Sequence, residues 1–132
     1  MKIKFNFLFL SAVVFVLASF SVPVQNKWEI LGERKVNLGL DHDVIQVGSS
    51  EGVFTKLKIK VRKSGINLHR MVVHFGNGEK QEIEVRENIQ KGSESRVIDL
   101  SGNKRIIKEV DFWYDTKGLL NDKAVVILWG RH

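Results

Sequence analysis

Along residues 53–62 the chain alternates without interruption. Val53, Thr55, Leu57, Ile59 and Val61 take the odd positions, and Phe54, Lys56, Lys58, Lys60 and Arg62 take the even ones. Successive side chains of a strand point to opposite faces, so a period of two gives one apolar side and one wet side. The segment therefore requires a sheet with a core against one face. No stripe at helical spacing competes with it anywhere after Val22.

Glycines punctuate the rest: Gly39, Gly48 and Gly52, Gly65, Gly76 and Gly78, Gly92, Gly102 and Gly118 all fall between apolar runs, and the only proline is Pro23. Short strands separated by turn residues at such regular spacing predict an all-β domain, an antiparallel two-sheet sandwich of about eight strands, with a closed β-barrel as the alternative. Besides residues 53–62, strands are expected over 28–31, 35–40, 44–47 and 96–100. A longer one should carry Ile106, Val110, Phe112 and Tyr114 on one face. Residues 124–129 are apolar on both faces, which suits a central strand.

Turn chemistry suggests a register. With Lys63-Ser64-Gly65 as a three-residue hairpin loop and Gly65 left-handed, Val61 faces Asn67, Ile59 faces His69, Leu57 faces Met71 and Thr55 faces Val73. Treating Gly76-Asn77-Gly78 alike sets Met71 against Ile83, His69 against Val85 and Arg70 against Glu84. The expected core then contains Leu57, Ile59, Met71, Val73, Ile83, Val85, Val110 and Phe112. The wet face carries a row of Lys58, Arg70 and Glu84, with Lys56, Val72 and Glu82 beside it. A slip of one residue would bring Val73 opposite Glu82 and break the pattern.

The first residues read as an address. Lys2 and Lys4 precede an apolar run over residues 5–20, and Ser19 and Ser21 stand just ahead of Val22-Pro23. A basic start, an apolar middle and a small-residue exit predict a secretory signal peptide over residues 1–21, leaving 22–132 as one β-sandwich domain in the periplasm or the medium. The apolar run is short for a bilayer span, which needs ~20 residues, so the mature form is expected to carry none. The chain has no cysteine, so neither a lipid-anchored terminus nor a disulfide framework is available, although an exported compartment would permit one. With Lys2 and Lys4 removed, 21 basic residues become 19 against 15 acidic ones, and the formal charge falls from +6 to +4. Acidic residues are scattered through the basic segments, which argues against nucleic acid as a partner. The domain is expected to be a monomer.

Several constellations could carry chemistry. Gly48-Ser49-Ser50-Glu51-Gly52 has the spacing of a nucleophile elbow, but that motif needs a strand turning into a helix, and here a strong strand follows; it reads as a loop. Asp41-His42-Asp43 offers the groups of a hydrolase, with or without a metal. Neighbouring residues on a strand face opposite ways, so only Asp41 and Asp43 converge and a third ligand must come from elsewhere; a turn in which Asp41 or Asp43 bonds the backbone two residues on is the preferred reading. His69 and His74, on one expected strand, should also point apart, so no metal or cofactor is expected. The row of Lys56, Lys58, Lys60 and Arg62 suits phosphate, lipopolysaccharide or another anionic envelope polymer. As a solvated strand face it would be balanced by Glu82 and Glu84.

Trp28, Trp113 and Trp129 complete the candidates, because indole faces stack on pyranose rings. Trp113 falls opposite the apolar set of its strand and should project outward beside Asp111, a pairing suited to carbohydrate. The alternative is a partly buried packing residue.

The run Ser95-Arg96-Val97-Ile98-Asp99-Leu100-Ser101-Gly102, followed by Arg105-Ile106 and Val110-Asp111-Phe112-Trp113-Tyr114, resembles a family of small exported bacterial proteins known as a domain of unknown function. Asp41-His42-Asp43-Val44-Ile45 and Asn77-Gly78 extend the resemblance over most of residues 28–131. It implies a β-rich envelope or secreted protein and brings no catalytic residues with it. Read physically, Arg96 and Asp99 lie on opposite faces of a regular strand. Asp99 is therefore expected to accept from backbone or from Arg105 beyond the Gly102 turn, as a corner clamp.

Together these readings describe a non-catalytic binding or accessory module of a bacterial cell envelope, with an envelope protein or a glycan as partner. The alternatives are a carbohydrate-binding module around Trp113 and a hydrolase using Asp41, His42 and Asp43.

Overall fold

The computed structural model describes residues 27–36, 42–116 and 123–132. Nine strands follow in chain order: β1 (Trp28–Lys35), β2 (His42–Gln46), β3 (Val53–Phe54), β4 (Lys56–Arg62), β5 (Ile66–Phe75), β6 (Lys80–Ile89), β7 (Ile98–Asp99), β8 (Arg105–Asp115) and β9 (Val125–Arg131). All pairings are antiparallel. One sheet has the order β1-β9-β4-β7; the other runs β2-β8-β5-β6, with β3 added on β8 beside β2. The two sheets stack as the expected sandwich and do not close into a barrel.

The inward faces form one core. Leu57, Ile59, Val61, Val126 and Leu128 of the first sheet meet Leu68, Met71, Val73, Val110, Phe112 and Tyr114 of the second, all buried. Every residue of the expected core is buried, and residues 124–129 supply the central β9, hydrogen-bonded on both sides. Gly130 allows the closest approach between layers: carbons of Leu31 and Phe54 lie 2.6 and 2.8 Å from where its Cβ would stand.

The pairing differs from the expected register at one place that matters. β4 does not pair with β5. It lies between β9 and β7, while β5 lies between β6 and β8. The Lys63-Ser64-Gly65 link is thus an arch from one sheet to the other. Lys63 carries the positive φ, at 69°, the Ser64 N–H donates to the Arg62 carbonyl at 2.8 Å, and Gly65 packs on the Ile89 carbonyl. Glu82 and Glu84 therefore sit in the other sheet from the lysine row.

The hairpin placed at Gly76-Asn77-Gly78 is present, and among the described residues β5 and β6 are the only consecutive strands that hydrogen-bond to each other. Phe75 N–H donates to the Glu79 carbonyl at 2.9 Å, with Gly78 at φ 92° taking the left-handed position. Met71 faces Ile83, Arg70 faces Glu84 and Val72 faces Glu82, as expected, but a bulge between Leu68 and Arg70 removes the pair His69 with Val85.

Three further phase changes break simple alternation. Thr55 separates β3 from β4, its N–H bonding the Arg131 carbonyl at 2.8 Å, so Phe54 turns inward at 0% exposure while Val53 lies outward at 41%. A register shift on β8 between its partners His74 and Phe75 buries Ile107 and leaves Ile106 outside. Gly32 does not end a strand; β1 continues through it with a bulge. Of the strand expected over 35–40, only Lys35 and Val36 are among the described residues.

The segment that carries the family resemblance is architectural. Ser95 Oγ accepts the Ile59 N–H and donates to the Arg96 carbonyl, both at 2.9 Å. The Arg96 guanidinium donates to the carbonyls of Val85 and Glu84, each at 2.7 Å, and the Arg96 N–H donates to the Glu87 carboxylate. Gln81 adds bonds to the Asp99 carbonyl and the Ser101 N–H. These contacts cover an edge strand whose unpaired groups would otherwise template aggregation. The corner clamp exists with a different acid: Arg105 donates to Glu79 at 2.6 Å and to the Ser101 carbonyl at 2.8 Å, and Asp99 instead takes Lys56.

Candidate functional site

Each sheet turns one face to solvent, and the candidate residues divide between the two. On the five-stranded sheet β8 is central, and its outward side chains are Glu109, Asp111, Trp113 and Asp115. Trp113 projects outward beside Asp111, as its position in the strand dictates. Both faces of its indole are covered. His42, opposite it on β2, stacks at 4.5 Å between centroids and 18° between planes, and Arg70, opposite it on β5, lies 4.0 Å from the ring centroid. Two groups so close to one centroid, from strands on either side, occupy opposite ring faces. Trp113 thus offers a ligand its edge and no stacking platform.

Asp111 is bracketed by imidazoles, with Oδ1 3.2 Å from His42 Nε2 and Oδ2 2.6 Å from His74 Nε2. Asp115 holds Asn67 and His69, both at 2.8 Å, and Gln46 donates to Glu109. His69 and His74 therefore share one side of the sheet, contrary to their expected opposition. The bulge at His69 supplies the extra residue that restores parity. Alternation alone could not show this for His69; His74 follows Arg70 and Val72 outward, and its bond to Asp111 was missed because β8 lies beside β5 only in the folded sheet.

The Asp41-His42-Asp43 group is dispersed. His42 lies outward on Trp113, and Asp43 points inward at the sheet margin, where its carboxylate takes Arg34 Nε at 2.8 Å and the Val44 N–H at 3.0 Å. That ion pair bridges the two sheets from β1 to β2. Asp41 lies outside the described residues. Among the described residues, no three metal-ligating side chains converge. Ser49, Ser50 and Glu51 form an exposed 3-10 turn leading into β3, so the serine–glycine motif is a loop, as its context implied.

The four-stranded sheet presents a different outward surface. Lys35, Lys56, Lys58, Lys60, Arg62 and Arg131 point outward, opposed by Glu33, Glu94 and Asp99. Lys56 pairs with Asp99, Lys58 with Glu94 and Arg62 with Glu33, so acids of this sheet balance the row instead of Glu82 and Glu84. Lys60 has no ion-pair partner among the described residues. Trp28 and Trp129 flank the row: Lys58 Nζ lies 4.4 Å from the Trp28 ring centroid and 6.0 Å from that of Trp129. Ile30 and Val97, on either side of Trp129 and Lys58, are each 48% exposed. The Trp129 Nε1–H has no acceptor among the described residues.

A cleft of about 350 Å³ beside the β5–β6 hairpin is lined by Val53, Phe75, Asn77, Arg105 and Ile106. Its main charged group is committed, since Arg105 lies over the Phe75 ring at 3.7 Å as well as pairing with Glu79. Bonds from Asn77 and Arg105 hold the Glu79 carboxyl below its ordinary value of 4.5.

With this geometry in place, residues 8–130 match the family model DUF2541, a domain of unknown function. The chain belongs to the DUF2541 family. No curated protein sequence matches it. Among solved structures it is similar to Pseudomonas aeruginosa AlgX, with a TM-score of 0.52 and 10% identity over 79% of this chain. The match spans only 26% of AlgX, and at that identity it speaks to the fold alone. Weaker likenesses link it to the SPBc2 prophage-derived protein YomS, with a TM-score of 0.43, 14% identity and 84% and 97% of the two chains covered. A mutant of a family 29 carbohydrate-binding module follows, with a TM-score of 0.39, 16% identity and 83% of each chain covered.

Proposed function

We propose that this DUF2541 protein is an exported, non-catalytic binding module of the bacterial cell envelope, and that its ligand is a glycan held on the outward face of the four-stranded sheet. The observation that carries the reading is the Trp28–Lys58–Trp129 cluster with Ile30 and Val97 exposed beside it. Indoles supply apolar area with a polar handle, and adjoining lysines supply donors to hydroxyl oxygens. Trp113, the ring best placed by sequence for this task, is closed on both faces, which moves the aromatic site to the opposite sheet.

Binding is favoured over turnover because the candidate acid–base groups are engaged and divided. Asp111 is shared by two histidines, Asp43 is tied to Arg34, and His42 lies on the other side of the sheet from Asp43. Export rests on the composition of residues 1–21. N-terminal sequencing of protein from a cell fractionation should return a start near Val22 in the periplasm or medium, and an intact Met1 on cytoplasmic protein would refute it. Affinity electrophoresis through gels cast with bacterial and plant polysaccharides tests the ligand. Trp28→Ala and Trp129→Ala should each lose retardation, while Trp113→Ala keeps it; loss only on changing Trp113 would place the site on the other sheet.

A further inference from the structure

Taking the glycan reading as its basis, we infer that the glycan recognised by the four-stranded sheet is acidic, carrying carboxylates along its chain. Charge complementarity points to it. Of the cations that point outward from this sheet, Lys56, Lys58 and Arg62 are answered by Asp99, Glu94 and Glu33, and among the described residues these three are the acids on the face. Lys35 and Lys60 are left without ion-pair partners among the described residues. Lys60 stands next but one to Lys58 along β4, on the same face, and Glu94, which lies opposite Lys60, is taken by Lys58. A lysine unanswered beside an aromatic cluster is a point charge available to a ligand.

The geometry divides the work between two kinds of contact. Lys58 covers one face of the Trp28 ring, so the other face of Trp28 and the ring of Trp129 meet the apolar faces of sugar rings, and Lys60 meets a carboxylate projecting from the ring plane. The unpaired Trp129 Nε1–H is covered by its neighbours. A ligand oxygen that reached it as those neighbours shifted would satisfy a donor that the free protein leaves without an acceptor. The opposite face suits an acidic chain less well, because Glu82, Glu84, Glu109, Asp111 and Asp115 all point outward there. Its basic groups among the described residues include Arg70, laid against Trp113, and Arg86, paired with Glu84, with Lys80 and Lys108 exposed beside the acids. An acidic polymer approaching the molecule is therefore drawn to the four-stranded sheet in preference to the other.

The test compares polymers that differ only in charge: polygalacturonate and hyaluronate, each beside the same polymer with its carboxylates reduced to primary alcohols. Affinity electrophoresis and isothermal titration at low and moderate salt read the result. The expected outcome is binding of the acidic forms at least tenfold tighter than the reduced forms, weakened by salt. Lys60→Gln should weaken the acidic form several-fold and leave the reduced form unchanged. Circular dichroism of that variant checks that it folds.

Equal binding of acidic and reduced polymers, lost in Trp28→Ala, would overturn the acidic specificity and leave the glycan reading intact. Binding of neither form, against retention of neutral polysaccharides elsewhere in the panel, would overturn it likewise. Failure of every polysaccharide would overturn both readings. Inorganic polyphosphate displacing polygalacturonate completely at equal charge concentration, with Trp28→Ala unaffected, would show a general polyanion surface and refute the sugar-ring contact.

Discussion

On the five-stranded sheet Trp113 is closed between His42 and Arg70, whereas on the four-stranded sheet Trp28 and Trp129 share one lysine and leave Ile30 and Val97 bare beside them. The first surface is a set of mutually paired groups: three carboxylates and an indole on β8, each met by a side chain from a neighbouring strand. The second is unevenly paired, with basic groups in excess and apolar side chains exposed. A paired polar face loses little by staying wet. An exposed apolar patch with unanswered charge gains from being covered, and such patches mark interaction sites. The difference teaches that an outward tryptophan is informative only when its faces are known.

The strongest challenge to this comparison lies beneath both surfaces. If one core serves both sheets, Ile59→Ala on the first and Met71→Ala on the second, each fully buried, should each cost ~2–5 kcal/mol in urea denaturation. A loss within error for either would show that its sheet does not share the core. Next comes the seam between the layers. Arg96→Ala removes two charge-assisted bonds to β6 carbonyls and uncovers that edge. Because the arginine is about half exposed, the expected cost is about 1–2 kcal/mol, accompanied by faster aggregation on heating. Unchanged light scattering would argue that the edge is protected by other means.

Smaller effects sharpen the contrast between the faces. Trp113→Ala should destabilise the fold by roughly 1 kcal/mol through loss of its stack with His42 and Arg70; a melting temperature equal to wild type would mean that the stack contributes nothing. Smallest of all is the exposed clamp at the hairpin. Glu79 is held below 4.5 by Asn77 and Arg105, so its contribution is fully present above its unfolded value and is lost as pH falls through the folded one. Thermal melts of wild type and Glu79→Gln should differ slightly at neutral pH and converge as acid protonates the carboxyl, below its ordinary range. A gap that widens in acid would reverse the sign of the assignment.

How much was legible depends on which interactions are local. The burial of Leu57, Ile59, Met71 and Val73 follows from alternation, and it survives even though β4 and β5 do not pair. A hairpin and an arch both turn the apolar sides of their strands toward one core, so the two look alike in sequence. Within the site, the outward direction of Trp113 and Asp111 was readable from β8 alone. The closure of Trp113 was not, because His42 and Arg70 come from strands far away along the chain. The outward turn of His69 was hidden by a bulge midway along β5, and the partnership of His74 with Asp111 by the pairing of β5 with the distant β8.

What the sequence by itself determined is therefore periodic: an all-β chain, the inward and outward sides of most strands, the β5–β6 hairpin and the centrality of β9. Side-chain alternation and turn chemistry act within a few residues, and a reader of the chain has all of them in hand. What only the tertiary structure decided is adjacency. Strand order made β9 the neighbour of β4, gave the lysine row Asp99 and Glu94 as counter-ions, placed Trp28 and Trp129 around Lys58, and closed Trp113 between two other strands. Pairing between strands distant in sequence is chosen by how the whole core packs, and no local pattern carries that information.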